Sequence, residues 1–145
     1  MNPLRERRRV AIQVLYQLDN GGLPDDARTL LESIRDSVDT ADLGEDTIQE
    51  GIALARDAWH RREDADAAIE PLSPEWPMRR QPVIDRNLLR LAWFEMTVAG
   101  TPPKVVISES VDLAREFSTD QSPSFINGVL DQLFNNQKTS STSDQ

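Results

Sequence analysis

Four arginines near the N-terminus are the residues of this chain best suited to binding chemistry. They are Arg5, Arg7, Arg8 and Arg9. At 100° per residue, Arg5, Arg9, Gln13 and Tyr16 fall on one side of a predicted helix, with Arg8 at its edge. Guanidinium groups pair with phosphate through two hydrogen bonds, and a tyrosine ring can stack on an unpaired base. The pattern indicates a contact with single-stranded nucleic acid. A solvated basic terminus would show the same spacing, and Ile12 falls on the same side.

The distribution of charge supports a contact confined to one end of the chain. The net charge is −9, which taken alone argues against binding nucleic acid. Residues 1–18 hold four arginines against Glu6 alone, a side-chain charge of +3, so the rest of the chain carries −12. Salt confines surface fields to about 8 Å, so a basic patch on an acidic body can still meet phosphate. The acidic remainder would favour docking at the basic end.

Composition excludes several other kinds of site. The chain has no cysteine, which rules out disulfides and thiolate chemistry. No apolar run approaches the roughly 20 residues that span a bilayer, and polar residues interrupt the segment after the basic N-terminus. We therefore expect a cytoplasmic protein without a membrane contact.

Enzyme chemistry is poorly represented. His60 is the only histidine and lies in a charged stretch without an obvious nucleophile. Glu109, Asp112 and Glu116 recur at helical spacing, which predicts a solvated face and not a general-acid pocket. There is no glycine-rich phosphate loop or metal-ligand cluster. We expect neither a catalytic activity nor a cofactor or metal.

Apolar spacing predicts an all-α fold with no strand. The predicted helices cover residues 4–18, residues 25–38, a segment from Ile48 to Trp59 with a charged continuation to Ile69, residues 82–98, residues 104–117 and a last segment from Ser122. We expect one domain over residues 1–135, made of two packed halves at about 1–70 and 82–135. Prolines mark residues 71–82 as a linker, and the polar residues 136–145 predict a disordered tail. Trp59, Trp76 and Trp93 are expected to pack inside.

Four sequence blocks, in order, resemble the NusB family of transcription antitermination factors. The blocks are Arg7-Arg8-Arg9 with Gln13-Val14-Leu15-Tyr16-Gln17; Asp85-Arg86-Asn87-Leu88-Leu89-Arg90-Leu91-Ala92-Trp93-Phe94-Glu95; Pro103-Lys104-Val105 continuing to Asp112-Leu113-Ala114; and Phe125-Ile126-Asn127-Gly128-Val129-Leu130-Asp131. They extend over nearly the whole chain, except for the acidic middle and the tail. The last block is the most characteristic of the four.

The resemblance implies a compact NusB-like bundle and an RNA-binding factor. Family members bind boxA RNA of ribosomal RNA transcripts together with the small-subunit ribosomal protein NusE, and the complex supports read-through by RNA polymerase. The family's RNA contacts map onto the arginine run, Tyr16 and Phe125. The surface near Asp85 faces the ribosomal partner in the family, which implies partner contact there; a place at the helix start would equally explain this carboxylate. Gly128 is expected to permit close helix packing.

Two departures from the family pattern keep other interpretations open. Arg9 stands where the family often has glutamate, and the loop before Phe125 lacks the usual basic side chain. A dimeric helical scaffold that has lost RNA binding is one alternative. A stand-alone RNA-binding module related to ribosomal RNA methyltransferases is another. Family members include dimers and monomers, so a homodimer stays open as well.

Overall fold

The computed structural model describes residues 3–36 and 42–143, which form helices in two compact units. The first unit ends at Arg61 and the second begins at Arg62. No strand occurs within these described ranges. The predicted all-α fold is confirmed.

The first unit is built from three helices. They are α1 (Pro3–Asp19), α2 (Ala27–Arg35) and α3 (Glu45–His60). Val10, Val14 and Leu15 on α1 are at most 1% exposed, as the apolar spacing predicted. Gly21, at φ +75°, ends α1 in a left-handed conformation that suits glycine. Asp26 caps α2 by accepting a hydrogen bond from the Thr29 amide at 3.3 Å. The predicted residues 37 and 38 of this helix lie outside the described residues.

Helices α1 and α3 approach each other at Gly51. A Cβ atom at this position would lie 2.6 Å from Val10 Cβ and 2.8 Å from the Arg7 carbonyl oxygen. No side chain fits between these two backbones, so the absence of one at Gly51 sets the distance between the helices. This contact fixes how α1 lies on α3 and therefore which of its sides remains exposed.

The second unit holds four α-helices and two short 3-10 helices. The α-helices are α4 (Arg62–Ile69), α5 (Val83–Thr97), α6 (Pro103–Phe117) and α7 (Ser122–Ser143), and the 3-10 helices are Glu70–Leu72 and Met78–Arg80. Helices α5, α6 and α7 pack on one another, as their apolar spacing predicted. α5 is buried over most of its length, including its polar residues Asp85, Asn87, Arg90 and Glu95.

The two compact units divide the chain at a different place from the expected halves. Residues 62–70, expected in the first half, and residues 71–82, expected as a linker, all belong to the second unit. Ala65 and Ile69 of α4 are fully buried, and Asp66 forms an ion pair with Arg90 of α5. The charged stretch 62–69, which was expected in the first half, therefore packs and forms its ion pair within the second unit.

Two further expectations for the last helix are wrong. α7 continues to Ser143, so residues 136–143 of the predicted disordered tail 136–145 are helical, and residues 144 and 145 lie outside the described residues. Gly128 permits no close helix packing, because a Cβ built there meets nothing within 4 Å. Gly128 is exposed on the surface of α7.

Candidate nucleic-acid interface

Helix α1 presents a polar stripe along its exposed side. The stripe consists of Arg5, Arg9, Gln13 and Tyr16. The Arg9 side chain is 31% exposed and Tyr16 is 42% exposed. Ile12, which the angular position placed on the same side, is only 1% exposed and so does not interrupt it. The apolar residues of α1 from Val10 to Leu18 are buried, whereas Leu4 at its start is 48% exposed, so the stripe is the polar part of its solvent-facing surface.

Arg9 forms a local ion pair within the stripe. Its Nη1 atom lies 3.3 Å from Glu6 Oε1, one turn earlier on the same helix. The pair is partly buried, because the side chains of Arg9 and Glu6 are 31% and 15% exposed. A phosphate that binds Arg9 would have to compete with Glu6.

Arg7 lies beside α3 and not on the stripe. Its Nη1 atom is 3.8 Å from Glu50 Oε2, and its side chain is 30% exposed. The distance is near the outer limit of an ion pair, so Arg7 keeps part of its charge available at the edge of α1.

Arg8 is buried, which corrects its predicted place in the interface. The residue is 2% exposed and ranks among the largest fully buried side chains. A guanidinium in this position cannot pair with an external phosphate without leaving the interior. The sequence placed Arg8 at the edge of the stripe, and a small rotation from that edge is enough to bury it.

Phe125 belongs to the second unit, where it is half-buried next to Trp76. The two ring centroids are 6.3 Å apart and the ring planes are inclined by 45°. Trp76 is 48% exposed, so the prediction that it packs inside is wrong. The placement of Pro74 and Pro77 on either side of Trp76 is the one sequence signal that indicated an irregular, surface-lying segment.

Asp85 is buried and occupied by internal hydrogen bonds, which corrects its predicted role in partner contact. The residue is 4% exposed. Its carboxylate accepts hydrogen bonds from the hydroxyls of Ser118 and Ser122, the latter at 2.9 Å. Asp85 therefore ties the start of α5 to the loop and first turn of α7.

The single histidine lies in an ionic cluster of the first unit. Asp25 accepts hydrogen bonds from Arg56 Nε at 2.7 Å and from His60 Nε2 at 2.5 Å. Partial burial raises the pKa of Asp25, but the bonds and charges of Arg56 and His60 outweigh this and hold it below its ordinary value of 3.8. No nucleophile takes part in these bonds, so they indicate a surface ionic contact.

The described part of the chain shows neither a membrane span nor a metal-binding group. None of its helices combines the length and apolar character that a bilayer crossing requires. No cluster of three or more histidine or acidic side chains is arranged to hold a metal ion among these residues.

Comparison with known proteins gives one consistent result. The model of the NusB family matches residues 5–135. The transcription antitermination protein NusB of Trichlorobacter lovleyi is 37% identical over 130 residues, covering 89% of this chain and 88% of the relative. The protein of the same name from Streptomyces coelicolor is 40% identical over 128 residues, covering 87% and 88%. A solution structure of NusB from Aquifex aeolicus matches with a TM-score of 0.79 at 26% identity, covering 97% of this chain and 93% of that one.

Proposed function

The chain belongs to the NusB family, and from this premise we propose that it is an RNA-binding transcription antitermination factor. It binds boxA RNA of ribosomal RNA transcripts in the cytoplasm, together with the small-subunit ribosomal protein NusE. The assembly supports read-through by RNA polymerase. The protein acts by binding and assembly, without a cofactor.

The exposed stripe of α1 is the observation that carries this proposal. Arg5 and Arg9 attract and pair with phosphates, and Arg7 adds charge from the edge of the helix. Gln13 can offer only its amide N–H groups to a base or sugar, because its Oε1 atom is buried, and Tyr16 offers an exposed ring for stacking. Cations and an aromatic ring on one side of one helix suit a single strand, whose backbone and unstacked bases are both accessible.

Arg8 has no direct part in this contact, because its side chain is buried. Three arginines of α1 then remain to neutralise phosphates. For a single strand, each neutralised phosphate contributes about −0.7 to the slope of log affinity against log salt, so the α1 contact contributes about −2 to that slope.

A fluorescence anisotropy titration of labelled single-stranded boxA RNA tests the proposal. We expect the double variant Arg5→Ala with Arg9→Ala to lose affinity at low salt and to show a slope smaller in magnitude by about 1.4. The matched control is Arg28→Ala with Arg35→Ala, which removes the same charge from α2. Arg28 and Arg35 are exposed and pair with Glu32 and Glu45 respectively.

The two double variants separate a specific interface from general electrostatics. Equal loss in both would contradict a stripe-specific contact and would leave only the net charge of the protein. No binding by the unmodified protein, alone or with NusE, would favour the scaffold interpretation. Sedimentation with and without RNA would then show whether the chain self-associates.

Tyr16 is tested separately through its ring. Tyr16→Phe keeps the aromatic face and should bind boxA RNA nearly as well as the unmodified protein. Tyr16→Ala should weaken binding by about 5-fold or more, because a stacked base contributes about 1–3 kcal/mol. Equal affinities for the alanine and phenylalanine variants would remove Tyr16 from the interface.

A further inference from the structure

We propose that Trp76 and Phe125 form a second RNA contact in the second unit, an aromatic platform on which an unpaired base stacks. Arg79 and Arg80, on the same segment as Trp76, pair with the neighbouring phosphates. This inference rests on the proposed RNA-binding function and adds Trp76, Arg79 and Arg80 to the residues that bind RNA.

The exposure of Trp76 is the first argument. An indole is a large apolar surface, and one that is 48% exposed leaves much of that surface in contact with water. Its ring lies 6.3 Å from that of Phe125 and is inclined to it by 45°. The pair therefore offers one exposed aromatic face supported by a second ring. Stacking on such a face is possible for every base.

The segment that carries Trp76 is held in place by its own hydrogen bonds. The Trp76 amide donates to the Ser73 carbonyl at 3.0 Å, and Gln81 Nε2 donates to the Trp76 carbonyl at 3.0 Å. The Met78 amide donates to Glu70 Oε2 at 3.1 Å. Gln81 and Met78 are each 4% exposed, so the backbone on both sides of Trp76 is anchored in the unit. An aromatic side chain on an anchored backbone loses less conformational entropy when it binds.

A groove of about 520 Å³ runs beside this platform, and Ser73, Trp76, Phe125 and Gly128 line part of it. Gly128 contributes no side chain, and a Cβ there would meet nothing within 4 Å, so this part of the groove is open. The Ser73 hydroxyl is buried and has no hydrogen-bond partner among the described residues. Rotation about its Cα–Cβ bond would offer a donor and an acceptor to the edge of a bound base.

Residues 71–82 carry a net side-chain charge of +1, from Arg79 and Arg80 against Glu75, which itself lines the groove; this net charge favours RNA over an apolar peptide as the occupant. Arg79 and Arg80 are exposed, and neither forms an ion pair with any side chain in the described ranges. Glu75 is the only carboxylate between Pro71 and Pro82. Two available guanidinium groups within four residues of an exposed indole are complementary to a phosphate–base chain. An apolar peptide would leave both cations without a partner.

The test uses the full chain and a labelled single-stranded boxA RNA. Trp76→Ala should weaken binding by about 5- to 150-fold, the range for loss of one stacked base, whereas Trp76→Phe should stay within about threefold of the unmodified protein. The unmodified protein should also show fluorescence quenching on RNA binding that Trp76→Phe lacks. Thermal melts should match among the three proteins, because Trp76 is half exposed.

The arginines provide an independent arm. Arg79→Ala with Arg80→Ala should lower affinity and reduce the magnitude of the salt slope by about 1.4, whereas Arg28→Ala with Arg35→Ala should not. Normal RNA affinity in Trp76→Ala, combined with a loss in the α1 double variant, would overturn this inference and leave the proposed function standing. Normal RNA affinity with weakened NusE binding would instead assign the platform to a protein. A chain that binds no RNA at all would overturn both.

Discussion

Arg9 of α1 and Arg90 of α5 both lie on helices, but their side chains have opposite surroundings. Arg9 of α1 is 31% exposed at its side chain and pairs with Glu6 of its own helix. Arg90 of α5 is 8% exposed and forms two hydrogen bonds of 2.8 Å with Asp66 of α4. It also donates to Asn87 Oδ1 at 3.1 Å. One arginine is available to a ligand, and the other joins two helices of its unit.

The number of neighbouring helices explains this difference. α5 packs against α4, α6 and α7 within its unit, so even its polar residues are covered. α1 packs against α3 and α2, and one of its sides keeps solvent-facing polar residues. Charge on a helix therefore indicates a binding surface only where the helix has an uncovered side. Substitutions in the two regions should have separable effects on binding and on folding.

The largest expected effect is on stability, from Arg90→Ala. This change removes the donor that bonds the Asp66 carboxylate and Asn87 Oδ1, and it should lower the free energy of unfolding by about 2–3 kcal/mol. The value is below that of a fully buried pair because the Asp66 side chain is 31% exposed. Urea denaturation followed by circular dichroism measures the change. Arg9→Ala is the control and should lower the free energy of unfolding by less than about 0.5 kcal/mol. Similar costs for the two variants would contradict the contrast between α1 and α5.

Two helical glycines sharpen the comparison in terms of packing. Gly51→Ala would place a Cβ 2.6 Å from Val10 Cβ and should cost about 1–3 kcal/mol through overpacking. Gly128→Ala meets nothing within 4 Å and should stabilise α7 by about 0.5–1 kcal/mol. Thermal unfolding of both variants and the unmodified protein measures whether each change lowers or raises the stability. A neutral Gly51→Ala would show that α1 and α3 can separate without cost.

Sequence spacing predicted the helices well and their charged interior poorly. The predicted segments 4–18, 82–98 and 104–117 agree with α1, α5 and α6 to within one or two residues, because apolar spacing and prolines mark them. Glu109 was expected on a solvated face, but it is 9% exposed. Periodicity describes one helix at a time and does not register how many neighbours cover it.

The candidate site shows the same limit. The exposed stripe of α1 follows from the angular positions of its residues, so sequence could place it. Trp76 lies in an irregular segment that two side-chain hydrogen bonds hold in place. Gln81 bonds the Trp76 carbonyl, and Glu70 bonds the Met78 amide. The prolines on either side of Trp76 indicate a surface-lying segment, but no local pattern predicts that its ring lies beside Phe125. Its place in the site could only come from the structure.

Asp85 provides the next test, because it is a carboxylate held by two hydroxyls inside the second unit. Asp85→Ala removes the acceptor of the Ser118 and Ser122 hydroxyls and should cost about 1–2 kcal/mol. The cost is limited because the Ser122 and Ser118 hydroxyls already lie 3.0 Å apart and can bond to each other. Urea denaturation gives the value, and NusE binding by the folded variant should be unchanged. Weakened NusE binding with unchanged stability would return Asp85 to the partner surface.

Asp25 is the exposed counterpart in the first unit and should give the smallest effect. Its pKa is held below 3.8 by Arg56 and His60, so its contribution is present above its unfolded pKa and is lost as the pH falls through the folded value. The loss should fall below pH 4 and amount to less than about 1 kcal/mol, because the side chain is 27% exposed. Denaturation midpoints of Asp25→Asn and the unmodified protein should therefore converge at low pH and differ at pH 6. A constant difference across this range would show that Asp25 acts through packing and not through its charge. The contrast between the exposed Asp25 and the buried Asp85 would then be contradicted.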